Sequence, residues 1–288
     1  MEFPKISKEE WKAKIEAELK GRKTLDELKY QIGKELDIDV LLQEEDRFKL
    51  EELSSFPDIP SYGIYFEGNP SNQIILESLV RGASSLYLEG ETILGWDQLL
   101  DGVNMSYITF IVNDISQAEN SEVSSKLSRK DTIELQEERI IDLDRQLKEE
   151  TLIESLKEVI QSNGNIGLRM NDAVIMNVSL MRAIRSISEK RGRKDKLIAF
   201  IGSGEEALEY QLIRYTTQAI AAISGGCDHI LFPIHEDCTE KDASKIIHIS
   251  NVLTHESRMT RFNDPWKGAY VIEKITKEFI EKIEKGGP

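Results

Sequence analysis

KLIAFIGSGEEALEYQLIRYTTQAIAAISGGCDHILFPIHED, Lys196 to Asp237, is the stretch whose reading decides the fold. Leu197 to Ile201 is a continuous apolar run of strand length. The segment EEALEYQLIRYTTQAIAAISGG has helical character and closes on Gly225 and Gly226, and CDHILFPI is apolar again around His229 to Ile234. A strand, a helix and a second strand with no wetted face describe one unit of parallel sheet under helical cover.

The same unit recurs on both sides. Upstream, NIGLRM predicts a strand at Ile166 to Met170, and VSLMRAIRSISEKRG a helix ending at Gly192. Further back, Tyr62 to Phe66, the segment around Leu86 and Leu88, and SYITFIVND from Ser106 read as strands. Gln73 to Arg81 reads as a helix, and Asp97 to Asp101 as a short helix or turn. Ser116 to Arg129 is polar and serine-rich, as in a surface loop. The spacing of Ile133, Ile140 and Leu147 predicts one long helix from about Asp131 to Gln161. Downstream, KDASKIIHISNVLTHES and Tyr270 to Glu284 read as helices. Six strands are clear, with room for one or two more in the connector after Gly21, in the middle, or after Met259.

Such a series permits a (β/α)8 barrel or a doubly wound open sheet. The open dinucleotide fold requires a GxGxxG turn after an early strand; GSGEE at Gly202 comes late and lacks the third glycine. The expected fold is therefore α/β, a TIM-type (β/α)8 barrel, distorted or incomplete, over residues 57–288. Residues 1–56 are expected to form an N-terminal helical arm and connector. In the arm, Ser7 precedes KEEWKAKIEAELKG, where Trp11, Ile15 and Leu19 make a four-residue apolar stripe that needs a surface to lie on.

Composition narrows function by exclusion. The 288 residues carry 52 acidic side chains against 37 Lys and Arg, a formal charge of −15. That field disfavours nucleic acid and anionic membranes as partners. The opening MEFPKISKEEWK is not a signal peptide, and no apolar run approaches the ~18 residues of a membrane span. Two cysteines, Cys227 and Cys238, imply neither a disulfide framework nor a zinc spacing, which suits a reducing cytoplasm.

Candidate chemistry is sparse. His229 and His235 are six apart, so they share a strand face if the strand continues, but Pro233 is expected to end it, and they lack a committed carboxylate. His235, Glu236 and Asp237 sit where a barrel strand meets its loop, the best positional candidate for a site. His248 and His255, seven apart on a helix, form no HExxH motif and read as surface or packing residues. The basic cluster Arg191 to Lys196 is able to bind phosphate or serve as a solvated loop. GSGEE is able to cradle an anion, though its glutamates oppose one. No catalytic, cofactor-binding or metal-binding residue is assigned.

The C-terminal part goes beyond periodicity. LIRYTTQAIAAISGGCDHILFPIHED, then DASKIIHISNVLTHESRMTRFNDPWKGAYVIEKIT, resembles the barrel domain of methylmalonyl-CoA mutases. That family has an Arg-x-Thr helix ending in Gly-Gly, an Arg-Asn-x-Gln helix, and Asp-Pro-Trp-x-Gly-Ser-Tyr-x-x-Glu, matched here by DPWKGAYVIEKIT, Asp264 to Thr276. WKAKIEAELKG is similar to the opening of the family's small subunit, which embraces a partner with an extended arm. The two ends bracket nearly the whole chain, though the middle is only faintly similar.

The resemblance implies a mutase-like barrel without its catalytic equipment. The family's cobalt-ligand motif, Asp-x-His-x-x-Gly, is absent. HILFPIH stands where the family has Gln-Ser-Leu-His, and Arg214 matches a family arginine of structural role. Pro265, Trp266, Gly268 and Tyr270 are expected to serve the fold. The expected function is a non-catalytic small subunit of an adenosylcobalamin-dependent isomerase, with the cobalamin in a catalytic partner chain. A homodimer is a further possible assembly. One alternative is the substrate-binding barrel of a split acyl-CoA mutase, the only reading in which this chain binds acyl-CoA; another is an unrelated stand-alone barrel enzyme.

Overall fold

Parallel strands and covering helices alternate through the computed structural model, which describes residues 6–32, 36–39, 41–43, 46, 53, 56–67, 71–88, 96–113, 132–202, 204 and 206–285. The Ser116 to Arg129 stretch lies outside the described residues. Helix α1 (Lys8–Leu19) opens on a capping box in which Ser7 Oγ and the Glu10 carboxylate accept each other's main-chain N–H. It buries none of its residues, and Trp11, Ile15 and Leu19 are half-exposed. Strands β1 (Tyr30–Ile32) and β2 (Leu36–Ile38) form an antiparallel hairpin, and Ile32, Leu36 and Ile38 join the main core.

Eight strands make the central sheet: β3 (Ser61–Glu67), β4 (Ser85–Leu88), β5 (Thr109–Val112), β6 (Thr132–Glu134), β7 (Ile140–Asp142), β8 (Ile166–Arg169), β9 (Leu197–Phe200) and β10 (His229–His235). All their pairings are parallel, in the order β6-β5-β4-β3-β10-β9-β8-β7. The first and last of these strands pair from His229↔Ser61 to His235↔Glu67, so the order is circular except at one seam, between β6 and β7. The expected TIM-like barrel is therefore present, and open there. Its helices among the described residues are α2 (Asn72–Val80), α3 (Trp96–Leu99), α4 (Leu143–Glu149), α5 (Leu152–Gln161), α6 (Val174–Lys190), α7 (Leu208–Gly225), α8 (Glu240–Asn251) and α9 (Tyr270–Glu284).

The seam arises because residues 135–139 hold only a 3-10 turn, Glu137–Arg139, where a parallel crossover needs roughly a dozen residues. Side chains bridge it instead. The buried Arg139 guanidinium donates to the carbonyls of Asn165 (2.8 Å) and Gly164 (2.7 Å), and Asn165 Nδ2 donates to Glu134 O at 2.8 Å. Inside the barrel, Leu135 and Ile140 both close on Gly167, where a Cβ would stand 3.1 and 3.0 Å from them.

Two expectations fail here. The single helix over 131–161 is in fact β6, a turn, β7, α4 and α5. Asp142 caps α4 by accepting from Arg145 N–H, and Glu150 adopts a left-handed φ of 60° that separates α4 from α5. Ile133, Ile140 and Leu147 lie on three different elements, so their seven-residue spacing is coincidental. Nor does Pro233 end β10. Leu231 O accepts from Ile201 N–H, so position 233, two residues on, also presents its main chain to the β9 side, where the ladder has already finished. The missing N–H costs no hydrogen bond.

Alternation along the strands separates two cores. Ile64, Leu86, Phe110, Leu168, Ala199, Ile230 and Phe232 face outward to the helices. Tyr65, Tyr87, Ile111, Leu135, Ile198, Phe200 and Leu231 face inward and meet on the barrel axis, joined by Ile133 and Ile140. Tyr65 and Tyr87 both pack edge-on to Phe200, with centroids 5.4 and 5.0 Å away. All seven are buried, so the axis is filled.

Candidate functional site at the C-terminal mouth

The inward parity of β10 holds for both histidines, yet it places them at opposite ends. Six residues of strand separate them by about 20 Å. At the N-terminal end, His229 is buried with Nδ1 3.2 Å from Ser85 Oγ, which is 2.5 Å from Ser61 Oγ. Burial pushes the His229 imidazole down to about 4, against the pull of neighbouring Asp228, so it is neutral near pH 7. This is a packed polar plug.

His235 lies at the C-terminal mouth, where barrel enzymes place their chemistry. The register sets it opposite Glu67, and its Nδ1 is 2.9 Å from Glu67 Oε2. Tyr215 of α7 brings its hydroxyl to 3.4 Å from Nε2 and donates to Gln211 Oε1 at 2.5 Å. Burial and the nearby Glu67 push the Tyr215 phenol up, so it remains a donor. Glu236 and Asp237, the other rim residues expected from sequence, are exposed in the turn beyond.

Beside this group opens a cavity of about 320 Å³, lined by Tyr65, Glu67, Asp142, Arg169, Asp172 and Gln218 among others. On one wall Arg214 pairs with Glu206 (2.5 Å) and Asp172 (3.3 Å), while Gln218 donates to Asp172 and accepts from Gly202 N–H. Arg214 is thus a bracing residue. GSGEE lies partly outside the described residues; its Glu206 is committed to Arg214. On the floor, the Arg169 guanidinium lies 5.8 Å from the Tyr65 ring centre and 5.4 Å from that of Phe200.

The remaining candidates do not converge on the mouth. Arg191 and Arg193 donate to the carbonyl of Ile160, Arg193 also pairs with Asp195, and Lys196 pairs with Asp228. The basic loop is therefore largely spent on structure, at the N-terminal end of the barrel. His248 and His255 are exposed. Cys227 is buried, donates to Met181 Sδ at 3.4 Å, and burial pushes its thiol up; burial does the same to the half-buried Cys238. Among the described residues no group of three or more His, Cys, Asp or Glu is placed to hold a metal ion. No helix among them is long and apolar enough to cross a membrane.

DPWKGAYVIEK forms a clasp on the outer wall. Asp264 takes a left-handed φ of 44° and sets its buried carboxylate on the buried guanidinium of Arg182 in α6. Burial pushes Arg182 down to about 10, opposed by nearby Glu273. Glu273 accepts from Gly268 N–H at 2.6 Å, and Gly268 has φ 88°, which favours glycine. The glycine is thus required by backbone conformation, while Trp266 and Tyr270 are half-buried.

Residues 202–286 match the family model described as methylmalonyl-CoA mutase. Over that stretch, less than a third of the chain, the protein is methylmalonyl-CoA mutase-like. No curated protein matches the sequence. The matched stretch holds α7, β10, α8, the clasp and α9, and so includes His235 and Tyr215. Glu67, Tyr65 and Arg169 come from strands before it. Sequence reasoning passed over these three, although Arg169 and Glu67 carried a signal: each is a charged residue closing an apolar strand.

Proposed function

We propose that the chain is a non-catalytic small subunit of a methylmalonyl-CoA mutase-like isomerase, holding a catalytic partner that carries adenosylcobalamin. The observation that carries this reading is the filled axis. A pantetheine arm threaded through the barrel would have to displace Tyr65, Tyr87 and Phe200, which are buried against one another. Emptying such a core costs about 3–5 kcal/mol for each large aromatic side chain, so the substrate-binding alternative starts from a heavy deficit. In this reading residues 57–288 are the barrel, residues 1–56 are the arm, and the half-exposed Trp11, Ile15 and Leu19 stripe of α1 packs on the partner. No step of the isomerisation is assigned to this chain.

Co-purification with the catalytic chain tests the proposal, together with titration of each component by acyl-CoA and adenosylcobalamin. A stable complex in which only the partner binds both ligands is expected. Micromolar binding of acyl-CoA by the isolated chain overturns it.

A further inference from the structure

The filled barrel leaves its C-terminal mouth with one ionic imbalance. Asp142 and Arg169 are register partners on adjacent strands, both at inward-facing positions, where opposite charges ordinarily pair. That pair is not made. The Asp142 carboxylate turns to cap α4, accepting from Arg145 N–H at 2.9 Å. Arg169 instead lies over two aromatic rings, and among the described residues its guanidinium has no carboxylate or carbonyl partner. With its Cζ 5.8 and 5.4 Å from two ring centres and no acceptor on its N–H groups among the described residues, the guanidinium has donors free to take a carboxylate in two parallel hydrogen bonds.

The other charged groups of the cavity mostly have work. Glu67 holds His235, and Asp172 is bound by Arg214 and Gln218, while Arg214 is further neutralised by Glu206. Asp144, exposed in the first turn of α4, lines the same cavity and has no partner among the described residues. Among the described residues, one uncommitted cation and one uncommitted carboxylate therefore share the mouth. Among the described residues the lining contains four carboxylates, Glu67, Asp142, Asp144 and Asp172, against the two guanidiniums of Arg169 and Arg214. Excess negative charge repels a simple anion, and a simple cation leaves Arg169 unanswered. A ligand that carries both charges satisfies both groups.

We propose that the mouth cavity binds a small zwitterion of the size and chemistry of a free α-amino acid. Arg169 takes its carboxylate, Asp144 takes its ammonium, and the side chain lies toward Met170 and Asn171. The cavity of about 320 Å³ accommodates a ligand of that size. The site is independent of partner docking, so failure of the subunit reading leaves it standing, and the reverse also holds.

The test is calorimetric titration of the 288-residue chain with each standard amino acid. Acetate and succinate serve as carboxylate-only probes, and methylamine as an amine-only probe. Saturable binding of at least one amino acid is expected, with each single-charge probe at least tenfold weaker. Arg169→Lys, which keeps the charge and loses the two-bond geometry, should weaken amino-acid binding by about tenfold. Asp144→Asn alters an exposed residue and leaves the fold intact. It should weaken amino-acid binding about fivefold while leaving acetate binding unchanged or tighter. The proposal is overturned if no amino acid binds saturably at millimolar concentration, if acetate or succinate binds as tightly as the best amino acid, or if Asp144→Asn leaves amino-acid affinity unchanged.

Discussion

Residues 202–286 and the strands that precede them do different jobs in one barrel. The matched stretch holds three members of the outer clasp, Asp264, Gly268 and Glu273. The side chains that fill the axis come almost entirely from outside it: Tyr65, Tyr87, Ile111, Leu135, Ile198 and Phe200 all lie before residue 202, and Leu231 alone lies within. The stretch that matches the mutase family thus includes residues that lock the wall, while the interior that decides whether a substrate enters is built mostly by sequence outside the match. A match of this kind supports a scaffold more firmly than an activity.

The sharpest way to break that division is to remove the clasp. Asp264→Ala leaves the Arg182 guanidinium buried and without its carboxylate, with Glu273 nearby. The expected loss is about 3–5 kcal/mol, a large share of a typical domain's stability, read as a fall in the urea midpoint. Replacing both members, Arg182→Met with Asp264→Ala, should restore much of it, because the uncompensated charge is gone. A loss below about 1 kcal/mol in the single variant would show that the DPWKGAY string does not hold the wall.

A smaller effect distinguishes the axis from the wall by pH. His229, at the N-terminal end of the axis, has its folded-state pKa depressed from 6.5 to about 4, chiefly by burial, with Asp228 opposing and Lys196 reinforcing the shift. Below 6.5 the unfolded chain takes up the proton first, so stability present at pH 7 is lost as the pH falls toward 4. The loss between pH 7 and pH 5 should be about 2 kcal/mol. Asp242 acts with the same sign in a lower window: its hydrogen bond from Thr239, with Lys245 nearby, holds it below 3.8, so its contribution is lost only once the pH falls below that value. His229→Gln should flatten urea midpoints between pH 7 and 5. Retention of the wild-type slope in that variant would assign the pH dependence elsewhere.

What the sequence disclosed was clearest toward the C-terminus, starting well before the matched stretch. The alternating units from Ile166 onward were legible because each strand is a short apolar run and each helix carries its own stop: Gly192 after α6, Gly226 after α7. Residues 131–161 were not, since TIE and IID are only three residues each, flanked by charges that fit a helix equally well. Parity within β3 and β10 was readable, but which face was the axis was not, because both faces are apolar and both are buried. The clasp escaped because Arg182 and Asp264 are separated by 82 residues, and although His235 marked the mouth, its Glu67 side escaped because the two meet only once the last strand pairs with the first.

The smallest expected effect tests the other unmatched region, the arm. Ser7→Ala removes the hydroxyl half of the α1 capping box and should cost that helix about 1 kcal/mol. A 12-residue helix that buries none of its side chains has little tertiary support, so such a loss should raise hydrogen exchange throughout Lys8–Leu19. The barrel should not register it. Ile32, Leu36 and Ile38 anchor the hairpin into the core without α1, and the described link from α1 to the connector is the Lys8–Asp46 ion pair at 2.7 Å. The global urea midpoint is therefore expected to move by less than about 0.5 kcal/mol. If α1 docks on a catalytic partner, the same variant should weaken that complex by up to about fivefold, since the partner must then order a frayed helix at the moment of binding. Equal losses in α1 and in the global transition would instead make the arm an integral part of the barrel.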